Sequence, residues 1–300
     1  MTLSIIIVNY SVYDLLKNCI NSIYANVSGV EYEIIVADNH SPERNIDSIK
    51  NDLPEVRYIS LQDNLGFAKA NNIAASEASG TYLLFLNPDT ILTENFIPNI
   101  INFMNENYNA GVCAPQLLFS DNSFQSSTGP QMGLFYDFLE SYGLVGFYRK
   151  FTSTKYLSNL NKPYEVGWAS AACFFIKRAN FEAVSGFTEE YFLNYEDIDI
   201  CTKISKLGFD IIYLPKYKCI HLDHKSFNTD YELLVFSRYA SRLKFTRLHY
   251  TFSKYALSRL ILISGIFLKL LFVNIAYSSQ ERRSRRKGYI RSLKLYAGIE

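Results

Sequence analysis

The chain lacks the two most widespread nucleotide-binding signatures. No GxGxxG and no GxxxxGK(S/T) occurs in its 300 residues, so neither a dinucleotide fingerprint nor a P-loop is supported. Cysteine is scarce and unpatterned. The five residues, Cys19, Cys113, Cys173, Cys201 and Cys219, are odd in number and show no CxxC spacing. A disulfide framework or a zinc site is therefore not expected, and a reducing compartment fits. The first residues, MTLSIIIVNYSVYDLL, place no basic segment ahead of an apolar run that breaks after five residues. They read as a first strand rather than a signal peptide. No internal repeat or low-complexity tract occurs, so a repeat architecture is not expected.

What is present suits a globular chain: 48% of residues are hydrophobic and 20% charged, with length for one large domain or two smaller ones. Tyr (23) and Phe (22) are abundant, which suggests aromatic-lined surfaces or membrane contact. The net charge of +1 conceals an asymmetry. Residues 1–230 hold 16 Lys and Arg against 26 Asp and Glu, a net of −10; residues 231–300 hold 14 against 3, a net of +11. An acidic body with a basic tail points to an anionic surface as the tail's partner.

The first half alternates strand and helix patterns. Apolar runs at Ser4–Val8, Glu33–Ala37, Val56–Ser60 and Thr81–Leu86 read as strands, and helical spacing falls between them at Asp14–Ala25, Ile46–Asn51 and Phe67–Ala78. This alternation predicts a mostly parallel sheet with crossover helices. After a helix at Asn95–Asn105, short strands are expected at Val112–Pro115 and Leu117–Phe119. Residues 120–165 lose periodicity and read as a mobile or substrate-covering segment. Glu165–Ile176 reads as strand, Asp197–Leu207 as an amphipathic helix closed by Gly208, and Asp210–Leu214 as a further strand.

Polar groups sit just beyond four early strands: Asn9-Tyr10, Asp38-Asn39, Asn64 and Asp89. The last ends the run YLLFLNPDT, where Pro88 stops the strand and Asn87 and Asp89 flank it. Such residues are ordinary in a turn. Four of them on strands of one parallel sheet, however, line one edge, where ligand crevices form. An acidic crevice that takes a phosphate ligand needs a cation between the charges, and Mg2+ and Mn2+ favour oxygen ligands. Asp89 is the candidate ligand. His221 and His224 follow the strand-like Tyr213–Ile220 region and could each add a nitrogen ligand, or be ordinary satisfied histidines. Glu196, Asp197 and Asp199 open a helix, where carboxylates favour the macrodipole. Three in four residues exceed what capping needs, and one could serve as a general base poised by its neighbours' charge.

These residues resemble the inverting family 2 glycosyltransferases of GT-A fold, and within them the bacterial rhamnosyltransferase branch of surface polysaccharide assembly. The resemblance spans about residues 2–227, through SIIIVNYSVYDLLKNCINSI, EIIVADNHS, DNLGFAKANN, YLLFLNPDT, VGWASAACFFIKR, GFTEEYFLNYEDIDICTKISKLGFDIIYLP and IHLDHKSF, in family order. It implies an α/β GT-A domain over 1–227; the residues beyond it, 228–300, read from their own charge and apolar pattern as a helical, basic, membrane-associating C-terminal region. It implies that Asp38 bonds the nucleotide base, that Asn9 and Tyr10 flank the nucleoside, and that Asn64, Lys69 and Asn71 lie near it. Asn87-Pro88-Asp89 stands at the family's DxD position, with Asp89 and His221 on a divalent cation, Mn2+ or Mg2+. Asp197 would be the catalytic base, Glu196 would contact the acceptor, and Trp168 would lie under the acceptor sugar. The implied reaction moves a sugar, L-rhamnose from dTDP-L-rhamnose first, to a lipid-linked saccharide of O-antigen, capsule or a similar polymer. A UDP-sugar donor, galactofuranosyl or N-acetylhexosaminyl, is the alternative within the class. A non-catalytic sugar-nucleotide-binding scaffold is the alternative outside it. Four positions depart from the family pattern: Asn87 for Asp, Ala171 for Gly, Thr188 for Asp, and Lys203 for Arg.

The tail adds an apolar segment, Leu257–Ala276, interrupted by Arg259 and Lys269 and followed by Arg282-Arg283-Ser284-Arg285-Arg286-Lys287. An interfacial helix on an anionic cytoplasmic leaflet fits both features, and so does a helix packed on protein, including a second copy of the chain. No nucleic-acid module is visible. The expected location is cytoplasmic, peripheral on the inner face of the cytoplasmic membrane.

Overall fold

The structure is a computed structural model and describes residues 1–42, 46–148, 162–191, 194–222, 230–276 and 279–299. It forms two compact units. The first comprises Met1–Gly129, Asn161–Phe192 and Glu196–His224; the second comprises Pro130–Leu160, Leu193–Tyr195 and Lys225–Glu300. The expected boundary at 227/228 lies near the start of the last segment, and the second unit also takes Pro130–Leu160 and Leu193–Tyr195.

The first unit is built on strands β1 (Leu3–Asn9), β2 (Tyr32–Asp38), β3 (Arg57–Ser60), β4 (Tyr82–Leu86), β5 (Thr90–Leu92), β6 (Ala110–Leu118), β7 (Thr128–Gly129), β8 (Tyr164–Val166), β9 (Trp168–Ala169), β10 (Cys173–Lys177) and β11 (Asp210–His221). Nine of them make one sheet, ordered β3-β2-β1-β4-β10-β6-β11-β5 with β8 on β11, while β7 and β9 pair separately. In the large sheet β1, β2, β3, β4, β6 and β11 point the same way. β10 runs against β4 and β6, and β5 and β8 run against β11. The mostly parallel sheet expected from the alternating pattern is present.

β1 shows why the sheet is central. Ile5 and Ile7 face one buried cluster and Ile6 faces the other, all at 0% exposure. A strand covered on both faces is a continuous β-branched run, and each such side chain contributes roughly 1.5–3 kcal/mol on burial. Helices α1 (Tyr13–Asn26), α2 (Ile46–Asp52) and α4 (Ile97–Glu106) cover the first face through Leu16, Ile20, Ile23, Ile49, Ile97 and Ile100. Helix α3 (Gly66–Ser76) covers the second with alanines, together with α6 (Arg178–Ala183) and α7 (Glu196–Lys206).

Three expectations need correction. The two short strands at 112–119 are one, β6, and Pro115 lies inside it. Pairing with β10 stops at Cys113, so Pro115 falls where only β11 borders the strand and its missing N–H breaks no ladder with β10. Residues 210–221 are likewise one strand, with an irregularity between Leu214 and Lys218 that takes up Pro215. Within 120–165 the described residues include β7 and a helix, α5 (Leu134–Ser141).

The second unit packs α5 with α8 (Tyr231–His249), α9 (Phe252–Ala276) and α10 (Ser279–Ala297). Its core includes Val235, Tyr239, Leu243, Leu262, Ile266 and Tyr296. Asp230 caps α8 by accepting the Glu232 and Leu233 N–H groups at 2.9 and 3.2 Å. Close approach needs glycine at Gly265, where a Cβ would stand 2.5 Å from the Ser141 Cβ. Arg242 is buried and is matched by Asp137 and Glu140, with its Nη1 donating to the Tyr195 hydroxyl at 2.7 Å.

Candidate active site

Parallel register brings the ends of β1 and β2 side by side, with Asn9 opposite Asp38. Asn9 Nδ2 donates to Asp38 Oδ1 at 2.7 Å, and the Ser41 hydroxyl donates to the same oxygen at 2.7 Å. The Ser11 N–H then donates to Ser41 Oγ at 2.8 Å. Ser11 and His40 both hold positive φ, 57° and 60°. Left-handed turns at non-glycine residues are strained, and here they fold each loop back onto its strand end. Tyr10 stands exposed beside this network at 47%.

The next loop is tied in through Asn39, whose Nδ2 donates to Asn64 Oδ1 at 3.0 Å and whose Oδ1 accepts the Leu65 N–H at 2.8 Å. Lys69 is exposed and pairs with Glu189 at 3.8 Å. Asn71 is buried and gives its amide to the Phe67 carbonyl at 2.9 Å. These contacts tie Lys69 and Asn71 to the 186–189 loop and to α3 itself rather than to the Asp38 network.

On the other side of the edge, β11 pairs antiparallel with β5 so that His221 lies opposite Thr90. The Leu222 N–H donates to the Asp89 carbonyl at 3.0 Å, and His221 Nε2 lies 3.3 Å from Asp89 Oδ1. Asn87 Nδ2 is 3.3 Å from the same Nε2. His221 Nδ1 lies 3.0 Å from Gln125 Oε1, an acceptor only, so the ring proton sits on Nδ1. The Nε2 lone pair and the Asp89 carboxylate then face the same space. That arrangement suits a shared cation, and imidazole with carboxylate is a donor set Mn2+ accepts. Among the described residues no cluster of three or more His, Cys, Asp or Glu could hold a metal ion. His224 and residues 223–229 lie outside the described residues.

Glu196 and Asp197 open α7, both partly exposed. Burial pushes the Glu196 carboxyl up to about 8, with repulsion from Asp197 added. Burial raises Asp197 to about 6, opposed by backbone N–H donation from Ile198, at 2.8 Å, and from Ala171. Asp199 serves the fold instead. It is buried, accepts the Thr188 hydroxyl at 2.6 Å and the Tyr191 hydroxyl at 3.2 Å, and lies 3.5 Å from Lys203 Nζ. Trp168 pairs through β9 with β7, where a Cβ on Gly129 would stand 2.5 Å from its Nε1.

Sequence reasoning missed several members. Gln125 and Ser41 are polar residues in loops and carry no pattern. Asn72 clamps the loop before the acidic helix, donating to the Phe187 carbonyl at 2.8 Å and accepting its N–H at 2.9 Å. Ala171 and Ala172 are a further surprise. Ala171 donates to Asp197, while the Ala172 carbonyl accepts the Asn87 N–H at 3.0 Å.

Comparison with known proteins places this geometry. Residues 4–184 match the family model described as Glycosyl transferase family 2. Rhamnosyltransferase WbbL of Escherichia coli is 28% identical over 229 residues, covering 73% of this chain and 83% of that protein. The N-acetylglucosaminyl-diphospho-decaprenol L-rhamnosyltransferase of Mycobacterium tuberculosis is 26% identical over 209 residues, 65% of this chain and 67% of that one. Among solved structures, GalNAc-T7 with UDP, GalNAc and Mn2+ superposes with a TM-score of 0.63 at 15% identity, over 99% of this chain and 56% of that chain. S. aureus TarS 1–349 in complex with UDP gives 0.56 at 14% identity, over 100% and 92%. These neighbours share the GT-A fold. The chain belongs to glycosyl transferase family 2 and is rhamnosyltransferase-like within it.

Proposed function

We propose that this glycosyltransferase moves L-rhamnose from dTDP-L-rhamnose to a hydroxyl of a lipid-linked saccharide, with inversion at the anomeric carbon. The observation that carries the chemistry is the Asp197 carboxyl. Raised to about 6, it is ionised at neutral pH and is a stronger base than an ordinary surface carboxylate. In the proposed step the acceptor oxygen bonds to the anomeric carbon as the bond from that carbon to the donor diphosphate breaks. The bonding pair leaves with the nucleoside diphosphate, and the hydroxyl proton passes to Asp197. One displacement without a covalent intermediate inverts configuration.

Glu196, raised to about 8, keeps its proton at neutral pH and can donate a hydrogen bond to an acceptor oxygen. Asp38, held by Asn9 and Ser41, offers its remaining lone pairs to the base, with Tyr10 exposed beside it. Asn64, Lys69 and Asn71 would border the donor and Trp168 the acceptor. Asp89 and His221 would hold the divalent cation, which when bound neutralises charge on the departing diphosphate.

The rhamnose assignment rests on the relatives. A product-release assay with dTDP-L-rhamnose, UDP-galactofuranose and UDP-N-acetylhexosamines tests it; turnover with UDP-sugars alone overturns the sugar, and no turnover with any donor overturns the transfer.

The second unit would hold the enzyme to an anionic cytoplasmic leaflet. α9 is long and apolar enough to cross a membrane between Phe252 and Val273, by length and composition. Its Leu262, Ile266 and Val273 are nevertheless buried in protein, while Leu260, Phe267 and Leu271 are exposed. Arg283, Arg286 and Lys287 on α10 are also exposed. One apolar face beside basic residues suits a helix lying in the interface. Flotation with anionic vesicles, lost in a Leu260→Gln, Phe267→Gln, Leu271→Gln triple variant, supports this; equal flotation of the variant refutes it.

A further inference from the structure

The second unit contains a cavity of about 410 Å³ whose charge is poorly matched. Glu140, Arg238, Arg242, Lys269 and Arg285 line it together with the apolar Leu234, Val235 and Leu262. Two of these cations have carboxylate partners: Arg242 meets Asp137 and Glu140, and Arg285 meets Glu281 at 2.8 Å. The other two do not. Among the described residues neither Arg238 nor Lys269 has a carboxylate within ion-pair distance. Lys269 Nζ spends its donors on neutral oxygens, the Glu140 carbonyl and the Tyr239 hydroxyl, each at 3.0 Å.

Lys269 is half-buried in this place, and its ammonium is pushed down to about 8 by burial and by repulsion from Arg238 and Arg242. A desolvated lysine that faces two arginines is costly unless an anion joins them. Phosphate oxygens accept charge-assisted hydrogen bonds from both arginine and lysine, and convert the repulsion into attraction. The volume accommodates a diphosphate with space left over, and the apolar lining suits a hydrocarbon chain continuing from it.

We propose that this cavity binds the phosphate or diphosphate group of an amphiphile, with Arg238 and Lys269 as its anion ligands. The phosphate part stands on the cavity alone. The apolar chain rests on the reading that the acceptor is lipid-linked.

The test uses the full chain with EDTA present, so that a divalent ion does not recruit pyrophosphate to Asp89 and His221. A lysine lowered to about 8 acetylates readily near neutral pH, and its modification can be followed by peptide mass. Inorganic pyrophosphate is one probe. Phosphatidylcholine vesicles with and without polyprenyl phosphate are the other. Occupancy should slow Lys269 acetylation. Arg238→Ala, at an exposed residue, should raise the protecting probe concentration about tenfold, whereas Lys216→Ala, at an exposed residue of the first unit, should leave it unchanged. Protection by both probes, or by pyrophosphate alone, supports a phosphate site open to soluble ligands. Protection only by vesicles carrying polyprenyl phosphate supports a lipid source. Absence of protection by either probe, or equal protection in Arg238→Ala, overturns the proposal. No sugar donor is present, so the outcome is independent of whether the transfer reading holds.

Discussion

Gln125 Oε1 accepts the Nδ1 proton of His221 across 3.0 Å, and this contact decides which ring nitrogen faces Asp89. Outer partners of metal-ligating histidines typically alter affinity by about 10–100-fold when removed. Gln125→Leu should therefore raise the Mn2+ concentration for half-maximal activity by that range, while Gln125→Glu, which still accepts the proton, should stay near wild type. A metal titration of turnover checks both. An unchanged Gln125→Leu would remove the glutamine from any role at the cation.

The paired carboxyls define a pH profile. As the proposed base, Asp197 must be ionised to take a proton, so activity should fall as pH drops through about 6. Glu196 must keep its proton to donate, so activity should fall again as pH rises through about 8. Glu196→Gln should retain the acid limb and abolish the alkaline one. Asp197→Asn should lose turnover while still binding donor. Rates of kcat/KM from pH 5 to 9 distinguish these outcomes, with the two limbs belonging to the pair.

The same shifts bear on stability. Both carboxyls have raised folded-state values, so between about pH 4 and 8 the native state holds protons that the unfolded chain has released. Their contribution to stability is greatest below the unfolded values and is lost as pH rises through 6 and 8. Thermal melts of Glu196→Gln should show a flatter decline across that range than wild type.

Thr188 and Lys203 depart together from the family pattern, and the structure joins them. Lys203 Nζ donates to Thr188 Oγ1 at 3.1 Å and to the Gly186 carbonyl at 2.7 Å, while Thr188 donates to buried Asp199. Thr188→Asp alone places a second carboxylate against Asp199 and should cost about 1–3 kcal/mol. Adding Lys203→Arg supplies a forked donor to both carboxylates and should recover about 1 kcal/mol. Chemical denaturation of the four proteins in this cycle measures the coupling. Strict additivity would count against a shared network.

Gly129 tests the proposed acceptor role of Trp168. A methyl group there cannot coexist with the indole of Trp168, whose Nε1 would lie 2.5 Å away. Gly129→Ala should move the ring and raise the acceptor KM about tenfold or more, with donor KM unchanged. Equal effects on both substrates would indicate general damage to the fold instead.

Much of the first unit was legible because its cause is local. The Ile5-Ile6-Ile7 run declares a strand buried on both faces, and Asn9, Asp38 and Asp89 declare themselves by following such runs. The Glu196–Asp197 pair was legible because it exceeds what a helix start needs. The contributions of Gln125, Ser41 and Asn72 were not. Each acts across a separation that only tertiary pairing closes, as when Gln125 meets a histidine 96 positions away. Prolines misled for the same reason. Pro115 ends a strand in isolation, but is tolerated once β10 has stopped pairing. The second unit was read as a tail because its apolar helix resembles a membrane segment, whereas Gly265 lets α9 meet α5 closely.

The Ala171–Ala172 step has a consequence for how this enzyme can change. The Ala171 N–H donates to Asp197, the proposed base, and the Ala172 carbonyl accepts from Asn87 at the strand end that leads to Asp89. Asp197 and Asn87 are thus tied to two consecutive residues that lead into β10, the strand that runs against β4 and β6. If Asp197 and Asp89 act as proposed, a bulkier pair at 171–172 would shift one against the other.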